Sequence, residues 1–291
     1  MNKFKIGDKW VGDGHPTYVV AEIGNNHNGD INIAKKLIEQ AYEAKVDAVK
    51  FQIKDVEKSF PKKMLDMPYE KPNSFGKTYR EHKEFLEFSH NAYRELQEYA
   101  NKIGIHFFAT PFEEYSLRVL NEMDVPAIKI SSFHMTDDDL IAKAVSTGKP
   151  LIVSTGMSTA EEVDHAVSHL KNLNATFALL QCTSSYPAAF KDVHLAIIGE
   201  FRKKYNCVVG YSGHEDGFNI AASSILFGAS IIEKHFTLDR TMKGPDHASS
   251  IEFKDMRALV NLLRDLEEAI GGSVKGVLES EEENRKKNRY K

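Results

Sequence analysis

The chain has 291 residues, 42% of them apolar and 27% charged, with a formal net charge of -4. This is ordinary for a globular enzyme and excludes wholesale disorder. It also gives no general attraction to nucleic acid or to an anionic membrane surface, so any anionic ligand has to be held by specific groups.

The N-terminal "MNKFKIGDKW" lacks the apolar core of a signal peptide, and no run approaches the roughly 20 apolar residues of a membrane span. Cys182 and Cys207 each fall inside a predicted strand. Reduced, buried thiols in a cytoplasmic protein are expected rather than a disulfide. Residues 3 to 17 place two short apolar stretches around Gly-Asp and Asp-Gly turn signals and read as a hairpin. After it, eight short apolar or β-branched runs alternate with segments of helical period. They are "YVVAEIG" (18–24), "DAVKFQ" (47–52), "HFFATPF" (106–112), "AIKISS" (127–132), "LIVSTG" (151–156), "FALLQCTSS" (177–185), "CVVGYSGH" (207–214) and "SIIEKHFT" (230–237). Such alternation is the mark of βαβ units, and eight of them in a chain of this length predict an α/β fold of the (β/α)₈ TIM-barrel type. The expected division is an N-terminal hairpin over 1–17, the barrel over 18–272 and a charged extension over 273–291.

The first crossover, Asp30 to Ala44, keeps Ile31, Ala34, Leu37, Ile38 and Ala41 on one face, with Asp30 placed to cap it. The last, Lys254 to Ile270, repeats that spacing before Gly271 and Gly272 end it. The second crossover is long: residues 53 to 83 carry Pro61, Pro68, Pro72 and Gly76, so an extended loop is expected until a helix begins near Glu84. The closing "ESEEENRKKNRYK" has no apolar period and reads as a solvated helix or linker.

Barrel active sites form where strands end and βα loops begin. Polar residues gather there in all eight runs: Glu22; Lys50 and Gln52; Thr110; Lys129, Ser131 and Ser132; Ser154 and Thr155; Thr183, Ser184, Ser185 and Tyr186; Ser212 and His214; Glu233 and His235. Taken singly, a serine at such a position more often caps a helix and a lysine is more often solvated or paired. Lys50 in "AVKF" and Lys129 in "AIKI" nevertheless sit within apolar strands, where an unpartnered ammonium is costly, and Glu22 has the same problem with opposite sign. Internal salt bridges among the three would be one solution. A bound phosphate or carboxylate, caged by lysines and hydroxyls, would be another. His214 and His235 end neighbouring runs and suggest a divalent metal with open positions, against the alternative of hydrogen-bonded structural histidines. Asp246, in the loop "KGPDHASS", can accept hydrogen bonds from a polyol or simply form an Asx turn.

The ordered set "VVAEIGNNHNGD", "AVKFQ", "FFATPF", "AIKISS", "IVSTGMS", "QCTSSYP", "VGYSGHEDG" and "IIEKHFTLDRTMKGPDH" closely resembles the sialic acid synthase family, which includes legionaminate, pseudaminate and spore coat polysaccharide synthases. The resemblance implies a metal-dependent condensation of phosphoenolpyruvate with an N-acetylated aldose and water, giving a nine-carbon 2-keto acid and phosphate. It implies a phosphoenolpyruvate cage of Lys50, Gln52, Thr110, Lys129, Ser132, Ser154, Ser184 and Ser212, with Ser184 standing where some members have asparagine. His214 and His235 look like ligands of a divalent ion, Mn²⁺ first and Mg²⁺ or Co²⁺ after it. Glu22, Asn73, Tyr186 and Asp246 look like sugar contacts. The candidate catalytic residues are Glu22, Lys50, Lys129, Tyr186 and Glu233, with proton handling left between Glu22 and a metal-bound water. Family members typically continue into a small antifreeze-like domain that, in a homodimer, reaches the partner's barrel; this chain ends at Lys291, about where the linker to it would begin. Two other readings compete. One is a barrel that binds sugar or phosphoenolpyruvate without turnover. The other is a synthase using a phosphorylated aldose, which would need a second anion site that no arginine cluster at the strand ends supplies.

Overall fold

A computed structural model describes residues 2–289. A two-stranded antiparallel hairpin, β1 (Lys3–Ile6) and β2 (Lys9–Gly12), precedes a closed eight-stranded parallel barrel. The barrel strands are β3 (Tyr18–Gly24), β4 (Ala48–Ile53), β5 (His106–Pro111), β6 (Ile128–Ile130), β7 (Leu151–Ser154), β8 (Phe177–Cys182), β9 (Val208–Gly213) and β10 (Ile231–His235). They pair in chain order, and β10 closes on β3. Strands covered by helices outside and by each other inside should be apolar almost throughout, and all seven residues of β3 and all six of β8 are buried.

The helical layer follows the same logic. Helix α1 (Ile31–Glu43) is capped by the Asp30 carboxylate, which accepts from the amides of Asn32 and Ile33. It buries Ala34, Leu37, Ile38 and Ala41 against the barrel. Helix α11 (Phe253–Ile270) packs through Met256, Leu259, Val260 and Leu263 and stops at Gly271, whose φ of 52° suits a residue without a Cβ.

The long second crossover differs from expectation. In place of an extended loop up to Glu84, it folds into short helices α2 (Val56–Ser59) and α3 (Lys62–Leu65), then α4 (Tyr79–Leu86) and α5 (His90–Ile103). Helix α4 begins at Tyr79 because Thr78 and Glu81 form a reciprocal capping box. Aromatic contacts hold the segment together: Tyr69 packs against Tyr79 and His82, and Phe75 stacks on Phe85 at 4.4 Å. Strands β6 and β8 are also shorter than read. Ser132 opens a single 3₁₀ turn, and residues after Cys182 leave the sheet. The remaining helices are α6 (Glu114–Glu122), α7 (Asp138–Ser146), α8 (Ala160–Asn172), α9 (Ala196–Tyr205), α10 (Asn219–Ser223) and α12 (Glu279–Asn288), the last exposed throughout as the solvated-helix reading expected. Both cysteines are buried and unpaired. Among the described residues no helix is long and apolar enough to cross a membrane.

Candidate active site

Side chains two apart on a strand share a face, so the register decides which polar groups meet inside the barrel. Glu22 pairs across to Lys50, Gln52 to Thr110, Glu233 to Ser212 and His235 to Glu22. All of these, with Lys129, Ser131, Ser132, Ser154, Ser184, Tyr186 and His214, line one well at the C-terminal end of the strands. The well encloses about 480 Å³ including its open mouth.

Its floor is a network of buried charge. Lys50 Nζ lies 3.1 Å from Glu22 Oε2 and 3.5 Å from Glu233 Oε1, and donates to Thr110 Oγ1 at 3.1 Å. Lys129 Nζ donates to Ser154 Oγ at 2.5 Å and stands 3.9 Å from Glu233. Ser212 donates to Glu233 Oε1 at 3.0 Å, and Gln52 Nε2 donates to Glu22 Oε1 at 3.0 Å. The internal ion pairs anticipated for Lys50 and Glu22 are therefore present, with Glu233 as an additional partner.

The two lysines are not equivalent. Burial opposes both charges, but two carboxylates outweigh it at Lys50 and hold that ammonium above its usual pKa. At Lys129 burial wins: Glu233 is its nearest carboxylate, Lys50 repels it, and its pKa falls to about 8. Burial pushes the Glu22 carboxyl up despite Lys50. Glu233, facing both ammoniums and hydrogen-bonded by Ser212, is instead held at about 2. One carboxyl is thus disposed to take up a proton while its neighbour stays ionised.

His214 and His235 converge, with ring centroids 5.4 Å apart, and Tyr186 packs over both at 4.2 and 6.0 Å. Burial lowers His235 to about 4, so its imidazole is neutral, and its Nδ1 is buried without a partner. His214 Nδ1 lies 2.8 Å from the Thr183 carbonyl, a bond that puts the ring proton on Nδ1 and leaves Nε2 as a lone-pair donor. Among the described residues no group of three or more His, Cys, Asp or Glu could hold a metal. The donor set fits a divalent ion held by two imidazoles, its other positions open to water and substrate oxygen.

Asn73 and Asp246 do not line the well. Asn73 is exposed in the second crossover. Asp246 reaches the rim, where a Cβ on Gly24 would meet Glu22 Oε1 at 3.1 Å, Gln52 Nε2 at 3.2 Å and Asp246 Oδ2 at 3.6 Å. The well in turn contains groups to which sequence reasoning gave no role. Phe112 and Phe133 form part of its wall. Cys182 lies with its sulfur 3.8 Å from His214 Nδ1; burial opposes a thiolate there, but His214 outweighs it and lowers the thiol's pKa, whereas burial raises Cys207 to about 11. Gly156 donates its amide to Ser132 Oγ at 2.9 Å, and a methyl group on it would run into Ser132, Ser184 and Cys182. Its lack of a side chain keeps that corner open.

The sequence pattern of the NeuB family matches residues 37–275. Over 274 residues the chain is 41% identical to the human N-acetylneuraminate-9-phosphate synthase, covering 94% of this chain and 76% of that protein. It is 37% identical to the N,N'-diacetyllegionaminic acid synthase of Campylobacter jejuni, covering 92% and 81%. Its fold superposes on the crystal structure of an N-acetylneuraminic acid synthetase from Leptospira borgpetersenii, in complex with citrate, with a TM-score of 0.88 and 33% identity over 99% of this chain and 98% of the other. A parallel barrel with this well at its mouth, matched by a family pattern over most of its length, belongs to the NeuB family.

Proposed function

We propose that the chain condenses phosphoenolpyruvate with an N-acetylated aldose and water, in a divalent-metal-dependent reaction, to give a nine-carbon 2-keto acid and phosphate. The observation that carries this reading is the meeting of Lys50, Lys129 and a ring of hydroxyls with two convergent imidazoles in one well. Lysines and hydroxyls suit an enol phosphate carrying both carboxylate and phosphate charge. The imidazoles suit the carbonyl end of the second substrate.

Phosphoenolpyruvate enters as an anion and competes with Glu22 and Glu233 for the two ammoniums. Glu22, already inclined to hold a proton, gives up its share of Lys50 most readily. Lys129, short of carboxylates, gains most from the new charge. A divalent ion held by His214 and His235 would polarise the aldehyde oxygen as a Lewis acid. The enol methylene carbon forms the new carbon–carbon bond to the aldehyde carbon, whose oxygen takes a proton. Water adds to the former enol carbon and loses a proton, and the carbon–oxygen bond to phosphate breaks as the ketone forms. Glu22, bonded to Gln52 and facing Lys50, is placed to carry a proton in these steps, while Glu233 remains an anion that holds both lysines in position. Tyr186, over the imidazoles, and Asp246, at the rim, are placed to meet the sugar.

The test is phosphate release from phosphoenolpyruvate with N-acetylmannosamine or a diacetylated hexose, with Mn²⁺ and after chelation. Acceptor-dependent phosphate in equal amount to a new 2-keto acid is expected. Phosphate release indifferent to acceptor, or none with any acceptor, would sink the reading. The relatives' names include both a 9-phosphorylated and non-phosphorylated products, so family membership leaves the acceptor's far end open.

A further inference from the structure

The two imidazoles stand at the edge of what the sheet controls. The ladder between β9 and β10 ends at the pair Gly213 and Lys234, so His214 lies one residue past β9, and His235 pairs with Glu22 of β3 but with nothing in β9. Neighbouring groups hold His214 from the β8 side: its carbonyl accepts from the Ala188 amide at 3.1 Å, and its Nδ1 meets the Thr183 carbonyl at 2.8 Å. The His235 ring has no such tie at Nδ1, which is buried without a partner. Sheet hydrogen bonds between β9 and β10 therefore stop short of the two rings and do not fix their spacing.

A second set of side chains bridges that gap from behind. Lys234 alternates with His235 along β10 and points away from the well. Its Nζ donates to the Glu215 carbonyl at 2.6 Å and lies 3.3 Å from the Glu215 carboxylate, whose other oxygen accepts from the Tyr211 hydroxyl at 2.7 Å. Gly213 makes room for this: a Cβ there would stand 2.6 Å from both Glu215 Oε2 and Tyr211 Cε1. The side chains of Lys234 and Glu215 are fully buried, and none of the three residues lines the well. Lys234 precedes His235 in the chain and Glu215 follows His214, so the pair spans the two strand ends directly behind rings whose centroids lie 5.4 Å apart. A buried ion pair is a poor source of stability, because apolar residues of similar volume often serve as well or better once desolvation is counted. What it supplies is direction: an ammonium bonded at once to a main-chain carbonyl and to a carboxylate pins the loop after β9 to β10, which an apolar contact does not.

We propose that Tyr211, Glu215 and Lys234 are positioning residues, a buried strut that sets the separation of the His214 and His235 imidazoles and so raises the affinity of the site for a divalent ion that none of the three touches. The proposal rests on the reading of those imidazoles as metal ligands and extends it to the residues behind them. Donors already in place bind tightly because the ion need not draw them together; with the strut cut, part of the binding free energy goes into restoring their spacing.

The experiment measures Mn²⁺ affinity by electron paramagnetic resonance and, on the chelated protein, phosphoenolpyruvate affinity by calorimetry; neither needs turnover. Lys234→Met alone leaves Glu215 buried and unpaired and risks unfolding, so two other variants carry the test. The triple variant Tyr211→Phe, Glu215→Leu, Lys234→Met replaces the strut with apolar groups of similar size. It should melt close to the wild type yet bind Mn²⁺ at least tenfold more weakly, with phosphoenolpyruvate affinity held within about twofold because Lys50 and Lys129 belong to other strands. Tyr211→Phe, which keeps the ion pair and removes one hydroxyl, should weaken Mn²⁺ about threefold. Wild-type Mn²⁺ affinity in either variant overturns the strut, and so does a parallel loss of Mn²⁺ and phosphoenolpyruvate affinity, which would mark a merely structural role. A wild-type chain without saturable Mn²⁺ binding takes the metal reading and this proposal down together, whereas wild-type binding that the variants leave unchanged removes the strut alone.

Discussion

Lys129→Met should make the ligand-free protein more stable while disabling it. In the wild type, holding the Lys129 ammonium in a buried site drops its pKa from 10.5 to about 8, a penalty of about 3 kcal/mol on the charged form. Methionine keeps the stem and removes the charge. It also gives up the bonds to Ser154 Oγ and the Ile130 carbonyl, worth about 1 kcal/mol each when neutral groups are compared. Glu233 retains Lys50 at 3.5 Å and Ser212 at 3.0 Å. The balance is a gain of about 1 kcal/mol near neutral pH, or a Tm higher by about 2–4 °C. The sign with pH follows from linkage. Below about 8 both folded and unfolded wild-type chains hold the Lys129 proton and the penalty is fully present. Between there and 10.5 the unfolded chain binds more protons, so wild-type stability rises with pH and the variant's advantage shrinks. Other alkaline titrations are common to both proteins and cancel in the difference. Loss of one charge-assisted contact to phosphoenolpyruvate should weaken its binding by about 30-fold or more. Thermal melts of both proteins across this pH range, with and without phosphoenolpyruvate, test all of this. A variant less stable than wild type at neutral pH, or a difference that ignores pH, would refute the electrostatic account of Lys129.

Replacing His235 with Ala should abolish divalent-cation-dependent turnover and weaken Mn²⁺ binding, followed by electron paramagnetic resonance, at least tenfold; unchanged Mn²⁺ affinity would rule out that imidazole as a ligand. Gly156→Ala should raise KM for phosphoenolpyruvate about tenfold with little change in Tm, because the added methyl meets the hydroxyls of Ser132 and Ser184; a normal KM would mean that this corner holds no substrate atom. Lys234 and Glu215, both fully buried and 3.3 Å apart behind the histidines, form a pair whose disruption in Lys234→Met should cost about 3–5 kcal/mol. Urea unfolding measures this, and a loss under 1 kcal/mol would show that the Glu215 carboxylate finds another partner.

The barrel and most of its well were legible because one rule, two residues per repeat along a strand, carried Glu22, Lys50, Gln52, Lys129 and Glu233 to a common interior face. An ionisable residue in an apolar run announces its own anomaly. Cys182 and Gly156 carry no such mark: a thiol in "LLQCT" looks like any small buried residue, and its proximity to His214 depends on how β8 and β9 align. The second crossover was opaque for a related reason. Its prolines advertise breaks, but Tyr69, Phe75, Tyr79 and Phe85 pack against each other without a period that spacing can reveal. The capping box at Thr78 and Glu81 is the local signal that sets the helix start at Tyr79, ahead of Glu84.

The N-terminal hairpin seals the opposite end of the barrel. Ile6 and Val11 are fully buried, Asp8 reaches His106 at 2.8 Å, Lys9 reaches Asp47 at 2.7 Å, and Asn2 reaches the Cys207 carbonyl. Those anchors sit where β4, β5 and β9 begin, which makes the interior a cul-de-sac. A ligand resting on Lys129 and Ser154 would have to arrive before one seated near Tyr186 at the mouth, and leave after it. Traffic through a single doorway imposes a queue, so the proposed condensation is expected to run in compulsory order, with the deeper reactant first in and its remnant last out.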